Sequence, residues 1–416
     1  MQKYSAFSLF KHGLNNHKSW EPTWNKAKPK SAYDAIIVGG GGHGLATAYY
    51  LGKNHNIRRV AVLEKGWIGG GNTGRNTTAV RSNYFYPESV ALYDLSLRLY
   101  ERLSTELNYN IMLSQRGMLI AAHTPAQMEI CARIANAMQI NGVDGHLMSS
   151  KEALERIPLL NQTNEARYKC LGGIWQGRAG IARHDAVAWG YARGASSMGV
   201  DIIENCTVEN LIVEAGKIAG VNTNFGEIRS PCVGLTAAGA TSGLVSEISV
   251  RLPIHTYALQ AFVSEPVKPM LDTVLLYLGT GTYVSQSDKG ELVFGGGLDR
   301  VPTHGQRGNL PAQEKVISGL LEMFPAFGQL KLLRQWAGVV DVVPDSSPII
   351  GPVGPDGLFV NCGWGTGGFK AIPAGGWLLA HLMATGRHHE ISKPFDLKRF
   401  EYGRLIDEAA GSGIAH

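Results

Sequence analysis

Nowhere in the 416 residues does an uninterrupted apolar stretch reach the length of a membrane span. The N-terminus also lacks the charge, apolar run and cleavage site of a secretory signal. Both absences point to a soluble, cytoplasmic chain with no membrane partner. Cysteine is scarce: Cys131, Cys170, Cys206, Cys232 and Cys362 are odd in number and form no CxxC or His/Cys metal spacing. That argues against a disulfide framework and a metal site, and leaves five reduced thiols. Charged residues make up only 18% and the net charge is +5, with no Lys/Arg run interleaved by aromatics, so nucleic acid is not expected as a partner. There is no internal repeat and no low-complexity linker. A chain of this length holds two domains, and without a linker these are expected to be interleaved.

Glycine is what the chain has in abundance, 52 in all, and its placement is ordered. The apolar run Ala35 to Val38 reads as a buried parallel strand. Gly39-x-Gly41-x-x-Gly44 follows it directly, through Gly42 and His43, and Leu45 to Leu51 continues as a helix. The first glycine permits a tight turn, the second lets backbone approach a pyrophosphate, and the third lets helix pack close to strand. A second strand, Val60 to Leu63, ends in Glu64, about twenty residues on, where an acid can accept from a ribose. Strand, glycines, helix, strand and acid in that order specify a dinucleotide site. Lys65 then leads into a second glycine-rich loop, Gly66 to Thr77, which suits an extended flavin dinucleotide better than a nicotinamide. A third, Cys362 to Lys370, precedes a helix near the other end of the chain. Two helix N-termini could thus flank one long cofactor.

Residues 1–32 form an arm in which Trp20 and Trp24 sit among lysines, with Pro22 and Pro29 limiting helix. It reads as a loose tail or as a segment lying on its own body or another subunit. Helices are expected from near Pro87, over Pro125 to Ile140, after the capping box Ser149-x-x-Glu152, over Ala186 to Met198 with Asp185 as N-cap, and over Gln313 to Met323. Val200 to Glu204, Thr207 to Glu214 and Lys217 to Asn222 read as a meander of short strands, and Pro253 to Glu265 and Gly279 to Gly297 as antiparallel strands. The fold class is α/β (α+β).

Several segments resemble the FAD-dependent amine and amino-acid oxidoreductases of the D-amino-acid oxidase and glycine oxidase superfamily. The closer resemblance is to the beta subunits of heterotetrameric sarcosine oxidases, through IVGGGGHGLATAYYL, VLEKGWIGGGNTGRNTTAVRSNY, ARHDAVAWGYAR, YVSQSDKGELVFGGG and VNCGWGTGGFK. It covers the chain from about Tyr33 onward. The resemblance implies a Rossmann-like FAD-binding domain (33–115, 172–248 and 331–416 with the C-terminal tail). It also implies an interleaved substrate domain on a largely antiparallel sheet (116–171 and 249–330), behind the arm 1–32.

It further implies that FAD is held by Gly39, Gly41, Gly42, His43, Gly44, Glu64, Lys65, Asn72, Arg75, Asn76 and Thr77, with the backbone of Val208 near the adenine. Gly363, Gly365, Thr366, Gly368 and Lys370 would surround the flavin ring. Arg81 matches the arginine that binds the substrate carboxylate, and Lys370 its partner; Arg can grip a carboxylate bidentately and Lys adds a point charge. His184 matches the covalent attachment site of FMN. Monomeric relatives tether FAD to a cysteine, but Gly338-Val-Val-Asp341 puts Asp341 in its place, so FAD should be non-covalent.

The implied activity is oxidative demethylation of sarcosine to glycine and formaldehyde, or 5,10-methylenetetrahydrofolate with a partner. Electrons would pass from FAD to FMN and then to oxygen, giving hydrogen peroxide. Implied partners are alpha, gamma and delta subunits, the alpha subunit binding folate and NAD. Tyr257 and Tyr283 are candidate substrate-side groups, and no general base is assigned. A one-flavin dehydrogenase for dimethylglycine or proline and a non-catalytic FAD-binding subunit stay open as alternatives.

Overall fold

The strand Ala35–Val38 forms because its four apolar residues can be buried on both faces at once. In the computed structural model, which describes residues 5–18 and 22–408, it lies inside a six-stranded sheet. The order there is Ile349–Pro352, Leu358–Cys362, Val233–Leu235, Ala35–Val38, Val60–Leu63 and Asp201–Ile203. All pairs are parallel except the first, which is antiparallel. Side chains alternate between the faces. Ala35 and Ile37 pack with the helices Gly42–His55, His184–Ser197 and Ile372–Thr385. Ile36 and Val38 face a core shared with a three-stranded meander, Val208–Glu214, Lys217–Thr223 and Gly226–Arg229.

The second sheet has eight strands in the order Leu332–Val342, His255–Pro266, Glu291–Pro302, Thr282–Gln286, Val274–Tyr277, Met118–Ala122, Gly172–Gln176 and His146–Ser149. Only the contact between Val274–Tyr277 and Met118–Ala122 is parallel. The helix Leu310–Met323 closes one of its cores through Val316 and Leu320. Local chemistry sets the helix starts. Pro87 and Pro125 occupy first turns, where a missing N–H costs nothing. The expected capping box at Ser149 and Glu152 is present, as is the helix Pro125–Ile140.

The observed elements differ from expectation in three places. The sequence division placed 172–248 and 331–416 with the nucleotide-binding part, but Gly172–Gln176 and Leu332–Val342 are strands of the eight-stranded sheet. Gly173 is needed there: a Cβ on it would sit 2.1 Å from the carbonyl oxygen of Ile120 in the neighbouring strand. The meander starts later than expected, because Asp201–Ile203 pairs with Val60–Leu63 instead. Finally, the helix after the Arg-His-Asp segment begins at His184, with Arg183 at the N-cap position. Asp185 lies inside the first turn, where its carboxylate accepts from the Ala186 N–H at 2.8 Å and grips Arg183.

The arm is fixed to the body at its C-terminal end. Lys26 and Ala32 make bridges to Ile202 and Arg229, Lys30 pairs with Asp201 at 2.6 Å, and Trp24 packs on the helical core. Trp20 lies outside the described residues. At the opposite end, Arg399 donates to both carboxylate oxygens of Asp345, at 2.7 and 2.9 Å, and to the Ser347 carbonyl oxygen at 2.7 Å. Both side chains of this pair are buried. Substituting Asp345→Ala strands a buried guanidinium and should cost about 3–5 kcal/mol, read as a lowered urea midpoint.

Candidate active site

Three glycine-rich loops meet at the carboxyl end of the six-stranded sheet. In the first, Gly39 turns at φ +112°, a conformation open to glycine. A Cβ on Gly44 would lie 2.0 Å from the Gly39 carbonyl oxygen, so helix and strand can pack this closely only without it. The helix Gly42–His55 starts with no side-chain cap from Gly41. Its Gly42 N–H donates instead to Thr73 Oγ1 at 2.9 Å, which ties the first loop to the second. Glu64 makes a second tie: its two oxygens accept from the Gly40 and Gly66 N–H groups, each at 2.8 Å. A carboxylate oxygen has a further lone pair, so Glu64 can still accept from a ribose.

The second loop is hooked onto the other sheet. The Asn72 amide donates to the Val339 carbonyl oxygen, and Val339 N–H donates back at 3.0 Å. Asn72 thus holds backbone with both ends of its amide. Arg75 folds onto its own loop, donating to the carbonyl oxygens of Gly70 and Gly71, while Trp336 donates to the Arg75 carbonyl oxygen at 2.8 Å. Asn76 donates to Thr73 and accepts from the Thr78 N–H.

The third loop is brought in by His43. Its Nε2 lies 2.9 Å from the Gly368 carbonyl oxygen, and its ring stacks on Trp364 with centroids 4.6 Å apart. On the other side Asn361 approaches Nδ1 at 3.5 Å. Burial pushes the imidazole down to about 4, so it is neutral at physiological pH and donates from Nε2. Close helix packing backs this up: a Cβ on Gly376 would sit 2.4 Å from that of Ala46. Gly363, at φ +73°, donates its N–H to Asp341 at 2.6 Å, and burial pushes the Asp341 carboxyl up to about 6.

Between the loops runs a cleft of about 550 Å³. Gly39, Gly41, Gly42, His43, Glu64, Lys65, Asn72, Arg75, Asn76, Thr77, Val208, Gly365, Thr366 and Gly368 all line it. Gly44 and Gly363 lie behind its wall, in helix packing and in a turn. Asp341, singled out by its place in the sequence, lines the cleft as well, whereas sequence reading missed the contributions of Thr73, Thr236 to Ala240, His304 and Gln306. For Thr236 to Ala240 the signal was a strand running into small residues; His304 and Gln306 carried none. Tyr283 lines the cleft and Tyr257 does not. Burial pushes the Tyr283 phenol up to about 12, so it stays protonated and serves as a donor.

Arg81 and Lys370 come together from distant parts of the chain, both buried, and neither lines the cleft. Lys370 Nζ donates to the Thr366 carbonyl oxygen at 3.2 Å. Burial, and after it the Arg81 guanidinium, holds its ammonium well below the ordinary lysine range. Arg81 donates to Asn83 Oδ1 at 2.6 Å and lies over the Tyr84 ring at 4.8 Å. Glu408, which sequence reading did not single out, accepts from the Phe85 and Tyr86 N–H groups beside it.

His184 lies apart from the cleft, opening the helix that packs Ala188 beside Gly69 of the second loop. Its Nδ1 is buried with no hydrogen-bond partner, and burial lowers the imidazole's pKa. Among the described residues no cluster of three His, Cys, Asp or Glu could hold a metal ion, and no helix is long and apolar enough to cross a membrane.

Residues 34–382 match the family model described as FAD dependent oxidoreductase (DAO). The chain is 47% identical to the sarcosine oxidase subunit beta of Rhodobacter capsulatus over 416 residues, all of both chains. It is 48% identical to that of Rhizobium meliloti, over 98% of this chain and 97% of the relative. Among solved structures, the L-proline dehydrogenase from P. horikoshii superposes with a TM-score of 0.85 at 26% identity, covering 91% of this chain and 100% of its own.

The neutral His43 makes stability depend on pH. In the unfolded chain the imidazole takes a proton below its ordinary 6.5, while the folded one resists until about 4. Its contribution is therefore complete above pH 6.5 and is lost as pH falls toward 4, by on the order of 3 kcal/mol. Urea denaturation across that range should show the loss, and His43→Gln, which keeps a donor for Gly368, should flatten it.

Proposed function

The chain belongs to the DAO family of FAD-dependent oxidoreductases and, within it, to the beta subunits of sarcosine oxidase; from this we propose that it oxidises sarcosine. The reaction converts sarcosine, oxygen and water into glycine, formaldehyde and hydrogen peroxide. When a companion subunit supplies tetrahydrofolate, 5,10-methylenetetrahydrofolate replaces free formaldehyde. FAD, bound without a covalent link, supplies the electron-accepting chemistry. The glycine cradle fits its pyrophosphate, since side chains at Gly39 or Gly44 would meet backbone oxygen at 2.8 and 2.0 Å.

The observation that carries the substrate assignment is the convergence of Arg81 and Lys370 beside the third loop. A buried guanidinium beside a buried amine offers N–H donors to an anion, and the part of sarcosine that suits them is its carboxylate. Burial and the Arg81 guanidinium both disfavour the charged form of Lys370. A bound carboxylate would restore the charged form, so substrate binding and proton uptake are coupled. Tyr283, protonated in the cleft wall, can donate to a bound polar group.

His184 is the proposed attachment point of a second flavin, FMN, which would relay electrons to oxygen. What supports this is the buried Nδ1 without a partner, on a helix that touches the second glycine loop. The reading also includes a cytoplasmic heterotetramer with alpha, gamma and delta subunits, the alpha subunit carrying folate and NAD sites. A second reading, a one-flavin dehydrogenase of a secondary amine, is favoured by the likeness to the archaeal L-proline dehydrogenase.

Two measurements separate the readings. Arg81→Ala should raise KM for sarcosine by roughly 10²-fold while leaving FAD bound; unchanged KM would remove Arg81 from substrate binding. Acid precipitation of protein made with its companion subunits should leave FMN mass on the peptide containing His184 and FAD in the supernatant. His184→Ala should release all flavin. If the unaltered protein already releases all flavin, the one-flavin dehydrogenase is the better account.

A further inference from the structure

The helix Ala6–Leu14 is seated with its apolar side facing outward. Phe7, Phe10 and Leu14, spaced three and four residues apart and so on one flank, are 76%, 65% and 72% exposed. Ser8 and His12, on the other flank, are less exposed than these. No residue of the helix is buried. A helix that merely covered its own body would turn the phenylalanines inward. Beyond it the arm is tied down by the Asn25 N–H donating to Ser196 at 3.1 Å and by Lys26 bridging Ile202, so the helix is presented from a fixed point on the nucleotide-binding side.

We propose that this helix is a docking element for a companion subunit, one that offers an apolar groove edged by acidic side chains. Three observations favour that occupant. The family match begins at residue 34, so the arm lies outside the body common to these oxidoreductases. The R. capsulatus relative, itself described as a subunit, aligns over the whole chain, arm included. Residues 1–32 carry six lysines against a single acid, Glu21. That charge suits an acidic partner and opposes pairing of two identical arms. The inference rests on the multi-subunit part of the proposed function and not on the choice of substrate.

The test compares complexes made by co-expression with the companion subunits, sized by chromatography with light scattering. The triple variant F7S/F10S/L14S should lose at least about tenfold in affinity for those subunits, with FAD content and far-UV spectrum unchanged. F7L/F10L, which keeps the flank apolar, should assemble like the unaltered chain. The proposal is overturned if the triple variant assembles normally. It is equally overturned if the triple variant loses only self-association, or only binding to phosphatidylglycerol vesicles, while hetero-assembly stays intact. If the unaltered chain does not associate with the companion subunits at all, the multi-subunit reading fails and this inference with it.

Discussion

One hydrogen bond, from the neutral imidazole of His43 to the Gly368 carbonyl oxygen, joins regions of the chain that sequence keeps far apart. Two helices begin at that junction, and each brings unsatisfied N–H groups and the positive end of its dipole. Placing two such ends together is tolerable only if the group between them adds no further positive charge. Burial keeps His43 in that uncharged form. The positive field then remains available to an anionic ligand in the cleft.

A second concentration of positive charge lies behind the third loop, where Arg81 and Lys370 are buried together. Burying like charges is costly, and the structure manages it in two ways. The Lys370 ammonium is held well below the ordinary lysine range, and Arg81 spreads its charge over Tyr84 and Asn83. Glu408 sits close by, but its oxygens are engaged with the Phe85 and Tyr86 N–H groups. Glu408 also interacts electrostatically with Arg81.

Much of the nucleotide-binding core was legible because its signals are local. The turn at Gly39, the close packing at Gly44 and the acid at Glu64 depend on neighbours within a few dozen residues, and so does the capping box at Ser149. What could not be read was set by pairing across long separations. Gly172–Gln176 looks like any short strand, and only its partner Met118–Ala122 assigns it to a sheet. Leu332–Val342 is placed by His255–Ser264 in the same way. Side-chain duties had similar limits. Asn72 was expected to serve a cofactor, yet its amide also clamps Val339 of the opposite sheet. Asp185 looked like a cap from its position beside a helix start, but the helix begins two residues earlier than expected, at His184.

The strand order of the six-stranded sheet also constrains how the protein is made. Ala35–Val38 pairs on one side with Val60–Leu63, which leaves the ribosome soon afterward, and on the other with Val233–Leu235, which emerges far later. For much of translation, one edge of an entirely apolar strand has no native neighbour, a period in which nascent chains are prone to stick together. The cleft itself stays incomplete until the segment around Gly368 has been synthesised. The last wall of the cleft is thus added only near the end of synthesis, long after the strand and glycine turn that begin it.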